Sequence, residues 1–355
     1  MLLISWLAVS AESQDSIVSR QSLFVIPHAS YQQETSWAPG IAYGYYFKSK
    51  DIRRISSISG SAIYTFRNQF LLNVTPKIFF SSNKWYLYSN LNLKNYPDFY
   101  YGIGNSPTNT KQAFTSQNFS VLLQPQYIIS KNCFVGASIA LRSERIITDA
   151  NFENNKNTIF DKYGNVGWEP FTQLSTGLMT AYDSRDNQFY PQRGIFAKAT
   201  IGFAQSGWVS SYSIKEFSMD VRQYIPLFDK HVLSWELYGA GVFGTNGQIP
   251  FQLLPTLGGR DAMRGFRQGQ YRENVILMGQ TEYRLPIYKR LKAAIFCSVG
   301  DVMNSSNFAI DKLKVSYGAG LRYRLNDARV HLRLDLARNN YGDALQFYIT
   351  ATEAF

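Results

Sequence analysis

The chain has 355 residues, 45% of them hydrophobic and 17% charged, a balance that excludes an intrinsically disordered chain. No apolar run reaches the roughly 20 residues of a membrane-spanning helix. The formal net charge is +11, but Lys and Arg are scattered instead of clustered, which argues against a nucleic-acid partner and fits a barrel with arginine in its lumen and anionic lipid around it.

Aromatic residues make up 15% of the chain. Tyr, Phe and Trp girdle outer-membrane barrels at both interfaces, although a large soluble β-protein can share this composition. Leu2 to Ala11 resembles a signal-peptide core, with Val9-Ser10-Ala11 as a small-residue cleavage site and no basic leading segment. Residues 1–11 are therefore read as a signal peptide, 12–23 as a short periplasmic lead and 24–355 as one barrel domain. The lead is far below the roughly 40 residues of an independent domain.

From there the hydrophobic period is 2. Sixteen strands are predicted, beginning near Phe24, Trp37, Arg54, Gln69, Lys84, Asn118, Cys133, Thr172, Gly194, Tyr212, His231, Glu273, Leu291, Lys314, Arg329 and Leu345. The clearest runs from Val330 to Leu336: Val330, Leu332, Leu334 and Leu336 share one face, and His331, Arg333 and Asp335 the other. A soluble sandwich also alternates, but its strands average about 5–6 residues, whereas membrane strands need about 9–11. The charged face suits a lumen, with the apolar face toward lipid. Cys133 and Cys297 fall on apolar faces of distant strands and read as lipid-facing free thiols.

The connections are asymmetric. Asn95–Gln117, Ser143–Phe171, Gly244–Arg272 and Met303–Leu313 are long and fall on the outer side. Ser81–Lys84, Ser130–Asn132 and Asn326–Ala328 are tight periplasmic turns, and Asp183–Arg193 is a longer one. The last strand, Leu345 to Phe355, is expected to run regularly to the terminal aromatic, with Glu353 at headgroup level. The first strand carries Pro27, which has no N–H for a ladder. The junction of these two strands, marked by Pro27 and Phe355, is the expected weak seam.

Within the long sixth outer connection lies Gly258-Gly259-Arg260-Asp261-Ala262-Met263-Arg264-Gly265-Phe266. Gln280-Thr281-Glu282-Tyr283-Arg284-Leu285-Pro286 and Phe296-Cys297-Ser298-Val299-Gly300 follow it. The glycines permit a tight turn, and a guanidinium placed in a lumen needs a carboxylate. Glu282, on the polar face of the twelfth strand, is the principal candidate. This order resembles the BamA/TamA superfamily of outer-membrane assembly barrels, the bacterial surface antigen family, and so does Asp183-Ser184-Arg185-Asp186-Asn187 with Pro191 and Gly194. The resemblance covers Tyr182 to Phe355 by motif and the first half by strand pattern alone. It implies a sixteen-stranded barrel whose sixth outer loop folds into the lumen and pairs Arg264 with acidic groups. Ser298 stands where the family has one of those acids. The periplasmic domains of assembly members are not expected here.

No metal spacing occurs among His28, His231 and His331, and no nucleophile elbow, phosphate loop or Cys-x-x-Cys is present. No enzyme, cofactor or metal is expected. Asp183 and Asp186 read as a hydrogen-bonded turn more readily than as a cation site, and His331 as a satisfied polar residue. Three functions remain: an accessory in outer-membrane protein assembly, insertion or translocation; a pore for small solutes with the loop as its plug; or a structural barrel on which envelope proteins dock. The expected location is the bacterial outer membrane, and the expected partners are its lipid and other envelope or assembly proteins.

Overall fold

The structure is a computed structural model that describes residues 21–32, 36–47, 54–80, 84–105, 112–147, 167–228, 230–244, 249–306, 308–351 and 353–355. The predicted signal peptide and most of the lead lie outside the described residues.

Sixteen strands form one antiparallel sheet in chain order. They are β1 (Gln21–Gln32), β2 (Ser36–Phe47), β3 (Ser56–Tyr64), β4 (Phe70–Phe79), β5 (Trp85–Tyr100), β6 (Gln112–Ile128), β7 (Cys133–Ile147), β8 (Phe171–Asp183), β9 (Gly194–Ala204), β10 (Ile214–Pro226), β11 (Val232–Gly244), β14 (Val275–Tyr288), β15 (Leu291–Met303), β16 (Lys314–Arg324), β17 (His331–Asn339) and β18 (Gln346–Ala351). The long connection from β11 to β14 holds its own two-stranded ladder, β12 (Thr256–Leu257) with β13 (Tyr271–Arg272). An even number of antiparallel strands begins and ends the sheet on one rim.

The alternation is inverted relative to a water-soluble sheet. Along β17, His331, Arg333, Asp335, Ala337 and Asn339 are buried, while Leu336 is 47% exposed. On β14 to β16, Glu282, Arg284, Ser298, Ser316 and Arg322 are buried and Leu277, Ile295, Tyr317 and Leu321 face out. In water such a band would be an aggregation surface; in lipid it is the favourable face. Exposed Cys297 belongs to this outer face, Cys133 is half-buried, and both are free thiols.

Several boundaries differ from the sequence expectation, three of them with consequences for the site. The first strand already includes Gln21, ahead of the predicted Phe24, because the β1–β2 ladder reaches Gln21 opposite Phe47. Much of the predicted loop Asn95–Gln117 is strand: the β5–β6 ladder runs out to Tyr100 opposite Gln112. Tyr100 and Phe114 on that extension pack with Phe251, which gives the longer hairpin a core of its own. Among the described residues the last ladder stops at Ala351 instead of running to Phe355, because Ala351 stands opposite Leu332 and β17 begins at His331.

β1 and β18 are the two ends of the sheet, and no ladder joins them among the described residues. Pro27 sits within β1 opposite Ile41, and the ladder to β2 passes it unbroken. A proline is tolerated there because an edge strand has one side without a partner.

Candidate functional site

Gly258 to Phe266 lies between β12 and β13, whose pairing closes the base of the loop. Met263 and Phe266 anchor it by packing with Ala240, Ile276, Met278 and Val302 on β11, β14 and β15. The tip backbone is tied down as well: Gly265 N–H donates to the Tyr348 hydroxyl at 3.0 Å, and the Asn339 amide donates to the Gly265 carbonyl at 2.9 Å. These contacts hold Arg264, fully buried, between strands that are remote in sequence.

Arg264 Nη1 is 2.9 Å from Glu282 Oε2 and 2.7 Å from Asp335 Oδ2. Its guanidinium lies 3.5 Å from the centroid of the Phe296 ring, so a cation–π contact covers the face that has no hydrogen bond. Glu282 also receives Arg284 Nε at 2.7 Å and Arg322 Nη2 at 3.0 Å. Arg322 reaches Asp335 through Nη1 and Glu353 through Nε, the latter at 2.9 Å. Arg333 completes the set: its Nε lies 3.3 Å from Asp335 Oδ2, and its Nη2 is 3.0 Å from Asp261 Oδ1 in the loop. Each carboxylate at the centre thus faces several cations, and none of the four arginines is exposed. Charges this deep are stable only when paired, and the carboxylates they share couple the arginines, although Arg264 Nε and Nη2 and Arg333 Nη1 have no hydrogen-bond partner among the described residues.

Sequence reasoning named Arg264 and Glu282 but not Asp335, the second acid on Arg264. Its signal was present, an acid on the polar face of an alternating strand, but choosing it required the register of β17 against the loop. Ser298 is buried opposite Gln280, with Oγ 3.4 Å from Gln280 Oε1, and no contact with Arg264 is seen among the described residues. The second acid on Arg264 is Asp335, from another strand.

Glu353 does not face outward. It is nearly fully buried on Arg322, and Phe355 is buried beside Arg284, whose Nη2 donates to the Phe355 main-chain oxygen at 3.2 Å. The β18 ladder ends where its partner does, with Ala351 opposite Leu332 and β17 starting at His331; beyond it the arginines hold Glu353 and the Phe355 main chain inward.

Arg284 also donates to the Pro191 carbonyl at 3.3 Å, which connects the network to the turn between β8 and β9. In that turn Arg185 clasps Asp183 with two bonds of 2.9 Å, and Arg54 donates to the Asp183 carbonyl at 2.8 Å. Asp186 Oδ1 accepts from the Gln192 and Arg193 amides at 2.8 and 3.2 Å, and Arg329 reaches its other oxygen at 2.7 Å. Both acids are engaged as turn acceptors, and no cluster of three or more metal-ligating side chains occurs among the described residues. The turn presents Phe189 and Tyr190 to the interior, and the Tyr190 ring sits 4.1 Å from His331. His331 is only half satisfied: Nδ1 lies 2.9 Å from the Arg329 carbonyl, while Nε2 has no hydrogen-bond partner among the described residues.

Because Asp183 holds two arginines, Asp183→Ala should lower the thermal midpoint in detergent by more than Asp186→Ala, the difference corresponding to about 1–3 kcal/mol. Circular dichroism melting of the two variants checks this; equal midpoints would refute it.

Residues 55–355 match the model of a protein family described as the Omp85 superfamily domain. Among solved structures, the chain is similar to BamA from Haemophilus ducreyi lacking POTRA domains 1-3, at 14% identity and a TM-score of 0.61, over 94% of this chain and 70% of that one. It is also similar to CdiB from Acinetobacter baumannii, at 14% identity and a TM-score of 0.55, over 91% of this chain and 56% of that one. No curated protein matches the chain.

Proposed function

This chain belongs to the Omp85 superfamily and is a β-barrel of the bacterial outer membrane, and from that premise we propose that it is an accessory in outer-membrane protein assembly, insertion or translocation. The observation that carries the reading is the pair of sheet ends, β1 and β18, between which no ladder runs among the described residues. An edge strand offers unpaired N–H and C=O groups to an incoming strand, the chemistry of β-augmentation. In this reading Pro27 and Phe355 flank the seam. The loop Gly258–Phe266 is a lumenal latch held by Arg264, and the Asp183–Asp186 turn braces the short-turn rim. The barrel acts by binding, without catalysis or a cofactor, and works with other envelope proteins.

Depletion of the protein followed by outer-membrane proteomics tests the role, with loss of many barrels as the expected result. Cysteines placed across β1 and β18 test the route: crosslinking them should reproduce the depletion phenotype, and unchanged growth and composition would exclude lateral opening. A cavity of about 350 Å³, bordered by polar groups such as Asn90, Ser138 and Gln173 and by apolar ones such as Leu122, Leu141 and Phe217, favours a pore for small solutes as the second reading. Loss of a single nutrient uptake on depletion would support it instead.

A further inference from the structure

The short-turn rim carries a local surface that the seam, the latch and the turn motif do not use. The connections after β10 and after β14 are neighbours, because β11 and β14 are laddered from Val232 opposite Arg284. The His231 imidazole binds them together, with Nδ1 2.7 Å from the Tyr283 hydroxyl and its ring 4.8 Å from Phe228. Phe228 and Tyr288 are 67% and 66% exposed, and Leu227 and Ile287 beside them are also exposed. Directly beyond these side chains come Lys289 and Arg290, both exposed. Among the described residues no ion pair involves either cation, whereas in the next turn Arg324 is paired with Asp327 at 3.0 Å and Arg329 with Asp186 at 2.7 Å.

We propose that this patch binds the anionic headgroups of phospholipids in the leaflet at the short-turn rim. The argument is one of depth. The exposed aromatic and aliphatic side chains continue the outward apolar band of the same strands, where Leu237, Leu277 and Ile295 face out. An occupant must therefore be apolar toward the middle of the barrel and negatively charged one residue beyond it. An anionic phospholipid has that order; a water-borne acidic protein would have to cover side chains that already lie at the lipid boundary. Lys289, whose Nζ lies 4.9 Å from the Tyr288 ring centroid, can rest its stem on the aromatic while its amine reaches a phosphate. The inference extends the membrane reading to a preferred lipid and is independent of the assembly role.

The test uses the full chain folded in detergent micelles and titrated with phosphatidylglycerol or phosphatidylcholine, with bound lipid read by native mass spectrometry. Phosphatidylglycerol should be retained about tenfold better, on the basis of two cations near an anionic headgroup. Lys289→Gln/Arg290→Gln should remove that preference, and Arg67→Gln, an exposed cation on the opposite rim, should leave it intact. The milder single variant Lys289→Gln should give an intermediate loss, which guards against a misfolded double variant. Equal retention of the two lipids would overturn the proposal, as would a preference that survives the double variant or falls equally with Arg67→Gln. If the double variant kept the lipid preference but lost a co-purifying acidic envelope protein, the patch would belong to a protein partner instead.

Discussion

Glu282→Ala is expected to prevent recovery of the heat-resistant folded barrel, and Arg264→Ala to reduce it by a smaller amount. The order follows from which charges are left behind. Without Glu282, Arg264 keeps only Asp335, which it shares with Arg322, Arg322 keeps Asp335 and Glu353, and Arg284 keeps only main-chain acceptors. Removing one partner of a buried pair costs about 3–5 kcal/mol because the other charge is stranded, and here several arginines lose their shared acceptor at once. Without Arg264, Glu282 still faces Arg284 and Arg322, and Asp335 still faces Arg322 and Arg333. Its loss is therefore closer to that of the loop anchor alone. Heat-dependent mobility on gels and melting in detergent measure both variants; an Arg264→Ala defect equal to or larger than that of Glu282→Ala would contradict this ordering.

Gly258→Ala is the second large effect expected, and it acts through the backbone. Gly258 has φ of +101°, and a Cβ there would lie 2.1 Å from the Arg267 carbonyl oxygen. A side chain at such a φ costs about 1–3 kcal/mol before any clash is counted. The clash is with main chain, which cannot swing away as a side-chain end can. The loop must shift to accept it, and Arg264 and Asp261 move with the loop. Gly259 has a similar φ of +116°, but its nearest neighbour would be a Gln268 side-chain carbon at 3.5 Å, ordinary contact. Gly258→Ala should therefore open the loop to limited proteolysis and lower the melting temperature well beyond Gly259→Ala. Equal protease resistance in the two variants would refute the argument.

Much of the architecture is already legible in the chain. Alternation with charged residues on one side and Leu, Ile and Tyr on the other is a local property, readable in any ten residues. It determines strand existence, the inverted face and the even strand number. The loop glycines and Arg264 are likewise visible as a contiguous motif, and Glu282 is legible as an acid on the polar face of the strand that follows. Partner choice across the sheet was decided only by tertiary structure. Asp335 lies 71 residues from Arg264 and meets it only through the stacked registers of β14 to β17. The inward placement of Glu353 and Phe355 has the same origin: the local pattern continues a strand there, but the register runs out of β17 at His331, and Arg322 and Arg284 supply partners from other strands. Period 2 determines which face a residue occupies. It does not determine how far along the strand that residue stands relative to one on another strand, and ion pairing depends on that height.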